Sequence, residues 1–356
     1  MNSIVSDIRQ NDPALERLVA SANASDPDAL FAGSYVLAGG FNLTPINPFA
    51  EAEWAKRGMT LNHGPSSVKY GLMVELGLTD FELRNSAQFF VIKGKQWLLD
   101  ASTSGDMYAL SLLALAEREG LGVRKSQVNY AKHLKEAADL GEPFSMKTLS
   151  DHYTLGRASF PKDHGAALSY SQSAAVEGLA SAQYQLGNYY YEGVHIASDK
   201  DKALEFFTLA ARQGHDRSQL ALGEWYSDRQ PCSAANLTES VRWWSLAAQN
   251  GLCLPEFRLA QMHETGSGGI EKNIAEAYRM YHALLTRDGK SLLTRQPERN
   301  LKQTIALKLL ELERIATSSE ITRGTKILAW GEDEIVVPML PVHTTIGPSS
   351  RLKLRR

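Results

Sequence analysis

Two cysteines in 356 residues, Cys232 and Cys253, are too few for a disulfide framework or a structural zinc site. One bridge between them stays open, with two thiols the plainer reading. No run of 18 apolar residues occurs, so no membrane-spanning helix is expected. The first residues, MNSIVSDIRQNDPALERL, lack a basic stretch followed by an apolar core. No secretory signal is read, and the expected compartment is the cytoplasm, or a bacterial periplasm only if a leader was removed. Charge of one sign is also missing: the net charge is −2, and the one basic cluster is the terminal Arg351–Arg356. Bulk electrostatics therefore favour neither nucleic acid nor a membrane surface.

The motifs of chemistry are missing too. None of the nine histidines forms HExxH or has ligand spacing to a cysteine or carboxylate. There is no GxSxG elbow, and no serine or cysteine has an evident base. The expectation is a chain with no metal, no cofactor and no catalytic residues. Three features tempt otherwise. Gly266–Gly269 (GSGG) resembles a phosphate loop, but it follows a helix and lacks GK[ST], so a turn is the plainer reading. His263-Glu264 aligns with Tyr190-Tyr191 at the end of a helix, which gives it a core or groove role. His215 follows a helix-closing glycine and reads as part of the cap.

What is present is a repeat. Gly105, Gly141, Gly178, Gly214 and Gly251 recur at intervals of 36, 37, 36 and 37 residues. A small pair stands just before each: Ala101-Ser102, Ala137-Ala138, Ala174-Ala175, Ala210-Ala211 and Ala247-Ala248. A ring stands eight residues before each: Trp97, His133, Tyr170, Phe206 and Trp243. A second register of small residues, Gly33, Gly71, Ala114, Ser150, Gly187, Gly223 and Ala260, marks the first helix of seven helix hairpins. Its spacing widens to 38 and 43 in the first two. Small residues allow close helix approach, the ring fills the space beside the crossing, and the glycine stops the second helix. The fold class expected is all-α, a right-handed α-solenoid over residues 26–289, preceded by an N-terminal cap (1–25). In the first hairpin, Trp54 and Gly58 are present but the closing glycine is displaced.

Two segments lie outside the repeat. Leu301, Ile305, Leu309, Leu312 and Ala316 share one helical stripe, which reads as a capping helix over 297–316. From Thr317 to Arg356 the chain holds Pro338, Pro341 and Pro348 and is not helical. Its Ile327, Leu328, Trp330, Ile335, Val336, Val337, Met339 and Leu340 are too apolar for a solvated tail. An extended tail packed against the solenoid is expected.

At these residues the chain resembles the Sel-one-like repeat family, a relative of the tetratricopeptide repeats. The resemblance rests on Ala182, Leu186, Gly187, Tyr190 and Gly193, and on Lys202, Ala203, Phe206, Phe207, Ala210, Ala211, Gly214 and His215. The hairpin at Gly223 lacks the loop glycine and has Arg229 and Pro231 there. The resemblance implies a non-enzymatic adaptor, scaffold or regulator, mostly bacterial, that binds protein partners. Similar proteins include immunity proteins that neutralise secreted toxins, which is one alternative here. An enzyme or nucleic-acid binder working through the groove is the alternative from another class, and fold alone chooses among none of these.

Periodicity also places a binding face. On the helix of Ser181, Ala182, Leu186, Tyr189 and Tyr190 face the core, while Tyr184, Asn188 and Tyr191 point away. Stepping by the repeat adds Lys147, Asp151 and Thr154 before them, and Leu220, Glu224, Ser227, Phe257, Gln261 and Glu264 after. In related solenoids such a ridge lines the concave surface. Its mix of aromatic and acidic groups suggests a polypeptide partner with some basic character.

Overall fold

The computed structural model describes residues 13–40, 46–157, 159–228, 233–286 and 296–315. Among them are sixteen α-helices and no strand. They are α1 (Pro13–Asn23), α2 (Pro27–Gly39), α3 (Pro48–Thr60), α4 (Gly64–Glu75), α5 (Ala87–Thr103), α6 (Met107–Glu119), α7 (Gln127–Asp139) and α8 (Pro143–Leu155). Then come α9 (His164–Val176), α10 (Ala180–Glu192), α11 (Lys200–Arg212), α12 (Asp216–Ser227), α13 (Ala234–Gln249), α14 (Cys253–Thr265), α15 (Ile274–Thr286) and α16 (Gln296–Ile315). The chain forms two compact bodies, residues 1–222 and 223–356, which divide within α12. Even-numbered helices from α2 to α14 are the first helices of seven hairpins, and the fold is of the solenoid type. No described helix is long and apolar enough to cross a membrane. The tail from Thr317, Arg229, Pro231 and Cys232 lie outside the described residues.

Six of the seven hairpins are punctuated by their own side chains, the exception being the second, where Ser86 makes no side-chain cap. Asn47, Ser126, Asp163, Asp199, Ser233 and Asn273 accept the backbone N–H three residues on, at 2.9 to 3.2 Å, and so start the second helices. Each such cap contributes about 0.5–2 kcal/mol. The five closing glycines all lie in the left-handed region, with φ between 80° and 101°. The first hairpin closes differently from the displaced glycine expected: Asn62, with φ 60°, takes the glycine's place. Gly58 then falls at the small-pair position, against Ser66. Ser25, with φ 66°, closes α1 in the same way, with Ser21 and Ala22 as its small pair. α1 is therefore closed like a second helix of the repeat. The long second interval comes from an inserted 3-10 turn, Phe81–Ser86, beside Asp80, which holds Lys56 at 3.0 Å.

The small residue of each first helix marks a tight crossing. A Cβ on Gly187 would sit 2.6 Å from the Phe207 ring, one on Gly223 would strike Trp244, and one on Gly33 would strike Trp54. In the regular hairpins the packing position is seven residues before the closing glycine, not eight. Leu98, Leu134, Ser171, Phe207 and Trp244 are 0 to 3% exposed. The rings expected to fill the crossing, Trp97, His133, Tyr170 and Phe206, are half-buried beside it. Phe206 stacks on Tyr190 at 5.8 Å and Tyr170 on Tyr153 at 6.0 Å. Trp243 is buried, but Trp244 is the ring against the glycine. Sizes complement each other: Gly187 faces Phe207, Gly223 faces Trp244, and Ala114 shares a core cluster with Leu134.

His215 starts α12. Its Nδ1 accepts the Ser218 N–H at 3.3 Å and meets Ser218 Oγ at 3.0 Å. Burial pushes its pKa down to about 4, against a smaller opposing pull from Asp216.

The crossing and the cap can each be tested. Gly187→Ala overpacks the crossing and should cost about 1–3 kcal/mol in urea unfolding. In the Phe207→Leu background, which recreates the Ala114/Leu134 combination, the same change should cost less by about 1 kcal/mol or more; strictly additive costs would contradict the crossing. The cap is tested by pH. An unfolded histidine titrates near 6.5, so the unfolded chain takes up a proton that folded His215 refuses until about pH 4. The stability tied to this group is complete above 6.5 and is lost as pH falls toward 4. His215→Asn keeps a capping acceptor, so it should lose less stability between pH 7.5 and pH 5 than the parent (about the span of that titration). Equal losses would remove His215 as the cause.

Candidate partner-binding surface

In residues 1–222, side chains of several first helices pack on one another. Tyr35 of α2 packs edge-on to Tyr108 of α6 at 4.8 Å and to Phe144 of α8 at 5.1 Å. Its hydroxyl donates to Glu142, which is fully buried and also accepts Phe144 N–H and Ser145 N–H at 3.1 and 2.7 Å. Burial first, then Glu142, pushes the Tyr35 hydroxyl far above its usual range. Lys69 of α4 lies 5.7 Å from the Tyr35 ring centroid and 3.3 Å from Glu51. Burial lowers its pKa while Glu51 opposes the shift. Four consecutive first helices thus converge on one buried polar cluster. Further along, Ile46 N–H donates to the Gln213 carbonyl at 2.7 Å. Gln213 Nε2 in turn donates to Gln183 Oε1 at 2.7 Å. None of these contacts has a repeat signature in the sequence.

The expected ridge residues divide between the two bodies. In the first, Lys147 pairs with Asp151 one turn on along α8. Asp151 also accepts Gln185 Nε2 of α10 at 2.8 Å, and Thr154 Oγ1 meets Tyr189 OH at 2.9 Å. Leu186, Tyr189 and Tyr190 are buried. Tyr184 is half-buried, its ring 4.9 Å from His215 and 5.8 Å from Phe207. Tyr191 is 47% exposed, with Lys200 Nζ 5.9 Å from its ring centroid. Asn188 is half-buried, one turn before it.

In the second body, the acidic ridge groups are held by partners from the chain itself. Glu224 of α12 accepts two bonds from the Arg258 guanidinium of α14, at 2.9 and 3.1 Å. Arg258 also donates to Gln261 Oε1 at 3.4 Å. Glu264 accepts Tyr281 OH at 3.0 Å and Lys308 Nζ of α16 at 2.9 Å. The bond to Glu264 heads the causes that raise the Lys308 pKa. Phe257, placed on the ridge by periodicity, is 5% exposed and packs on Tyr281 at 5.6 Å. Its ring has no polar tip to keep at the surface, so it turns into the core.

A register emerges from these bonds. At two places the residue just after the small crossing residue of one first helix bonds the residue two before it on the next. Asp151 follows Ser150 and meets Gln185, two before Gly187; Glu224 follows Gly223 and meets Arg258, two before Ala260. Asn188 follows Gly187, but two before Gly223 stands Ala221, which has no group to offer. The ladder is open at Asn188.

The chemistry-like motifs resolve into structure. In the GSGG turn, the N–H groups of Gly266 and Ser267 both donate to the Met262 carbonyl, at 2.8 and 3.3 Å. A Cβ on Gly268 would meet Val241 at 2.7 Å, so the glycine serves helix packing. His263 is half-buried, and its backbone carbonyl accepts Asn273 N–H at 2.8 Å. Cys253 is buried in the core of the last hairpin. Among the described residues, no three His, Cys, Asp or Glu side chains are grouped to hold a metal.

The Sel1 repeat family matches residues 108–142, 180–215, 216–252 and 256–284. Those are the third, fifth, sixth and seventh hairpins. The stretched first two and the Ser150/Ser171 hairpin lie outside the matches. A chitin synthase regulator, SKT5 of Saccharomyces cerevisiae, is 24% identical over 51% of this chain and 33% of its own length. A putative sel1-like repeat-containing protein, L21 of Acanthamoeba polyphaga mimivirus, is 29% identical over 37% of this chain and 24% of its own. The chain thus spans a third or less of these curated relatives. A Sel1 repeat protein from Oxalobacter formigenes superposes with a TM-score of 0.51 at 20% identity, covering 81% of this chain and 78% of that one, which speaks to fold. Sequence spacing, hairpin geometry and family match agree: the chain carries Sel1 repeats in four of its hairpins.

Proposed function

We propose that the chain is a non-enzymatic adaptor or regulator that binds a polypeptide partner along its first-helix ridge. Sel1 repeats mediate protein–protein interaction, and the regulator name of the yeast relative is in keeping with such a role. The observation that carries the reading is the open place in the ladder. Asn188 presents an amide donor and acceptor beside the exposed Tyr191 ring, where the next helix has only Ala221. An extended polypeptide can complete those bonds with its own backbone and lay a side chain on the ring. The rest of the proposed ridge is Lys147, Asp151 and Tyr184 in the first body, and Glu224, Gln261 and Glu264 in the second. Because its acids already have partners, recognition rests on amide bonding and ring contact, and the basic character first expected of the partner is not required. A toxin-neutralising role would use the same kind of contact with a different partner.

The test begins with affinity capture on the full chain from its native cell and identification of the bound protein by mass spectrometry. Titration of that protein then compares the parent with Asn188→Ala, Tyr191→Ala and, as a control on another helix, Val176→Ser, at a side chain that is 82% exposed. Each ridge variant should weaken binding about tenfold or more, the size expected of an interface hot spot, and the control should not. Equal affinities in all four would discard the ridge.

A further inference from the structure

Among the described residues, the repeat array ends on half a hairpin. α16 packs its Ile305, Leu309 and Leu312 into the core of the last hairpin, with Phe257, Tyr278 and Tyr281. Its Lys308 bonds Glu264 of α14, linking α14 to α16 as Glu224–Arg258 links α12 to α14. α16 therefore holds the place of a first helix, and no second helix covers its other side among the described residues. A terminal element that only closes the array carries a polar outer face. α16 does not: Leu307 and Leu310, one turn apart, are 67% and 55% exposed.

Residues 316–356 come after α16, and Pro338, Pro341 and Pro348 are spaced against a regular helix from 338 on. Between 327 and 340 that stretch carries eight large apolar residues, among them Trp330, Val336 and Leu340. Reach is no obstacle. Leu307 lies about 12 Å back along the helix from Ile315, at 1.5 Å per residue, while the chain from 316 to 326 spans up to about 35 Å. We propose that residues 325–340 of the same chain lie across Leu307 and Leu310, in the seat that a second helix takes in the hairpins before it. Burying two leucines and several tail side chains removes apolar surface from water at about 25 cal/mol per Å². That is the gain a solvated tail would forgo.

Hydrogen exchange of the full-length chain, followed by mass spectrometry, tests this. In the parent, amides of 325–340 should exchange about tenfold or more slower than an unstructured peptide. In Leu307→Lys/Leu310→Lys that protection should be lost while residues 253–286 keep theirs, since both leucines point away from the core. Unprotected 325–340 in the parent would overturn the proposal. So would protection that survives the double substitution. Sedimentation covers the competing occupant: a dimer that the double substitution dissociates, with a fast-exchanging tail, would assign this face to a second copy instead.

Discussion

Everything in this chain depends on how closely two helices of a hairpin can approach at one small residue. At Gly187 and Gly223 the second helix sets a Phe207 or Trp244 ring directly on the first helix's backbone. A methyl group at either glycine would force the pair apart. Where the facing residue is only a leucine, as at Leu134, an alanine suffices. The crossing fixes the separation and the rotation of each first helix, and the rest of the geometry is read off that rotation.

One consequence is the ladder along the first helices. Twice, once in each body, the residue after the crossing meets the residue two before it on the next first helix: Asp151 meets Gln185, and Glu224 meets Arg258. Charges on the ridge are neutralised from within the chain. Another consequence is the convergence of α2, α4, α6 and α8, which brings Tyr35 onto Glu142, 107 residues away. Part of residues 1–222 is therefore filled by its own side chains, and the proposed binding site centres on Asn188 and Tyr191.

The repeat itself was legible in the sequence, because glycine at a helix end and a small residue at a crossing are demands on single positions. The core face of α10 was legible for the same reason, through Leu186, Tyr189 and Tyr190. Three things were not. Adjacent rings, Phe206-Phe207 and Trp243-Trp244, offered two candidates for the crossing, and only packing shows that the second of each meets the glycine. Phe257 shares its register with Tyr184, at a border where the tyrosine stays half-buried and the phenylalanine is drawn in. Glu224 and Glu264 looked like free acids because their partners, Arg258 and Lys308, lie 34 and 44 residues on, beyond any helical period.

A ridge whose charges are already paired should recognise its partner without help from ionic attraction. The most direct measurement is the affinity for the captured partner across salt, from about 0.05 to about 0.5 M, where screening shortens the Debye length severalfold. Paired ridge charges predict an affinity that changes by less than about twofold over that range. A fall of tenfold or more would mean that unpaired charge carries the recognition, and would contradict the account.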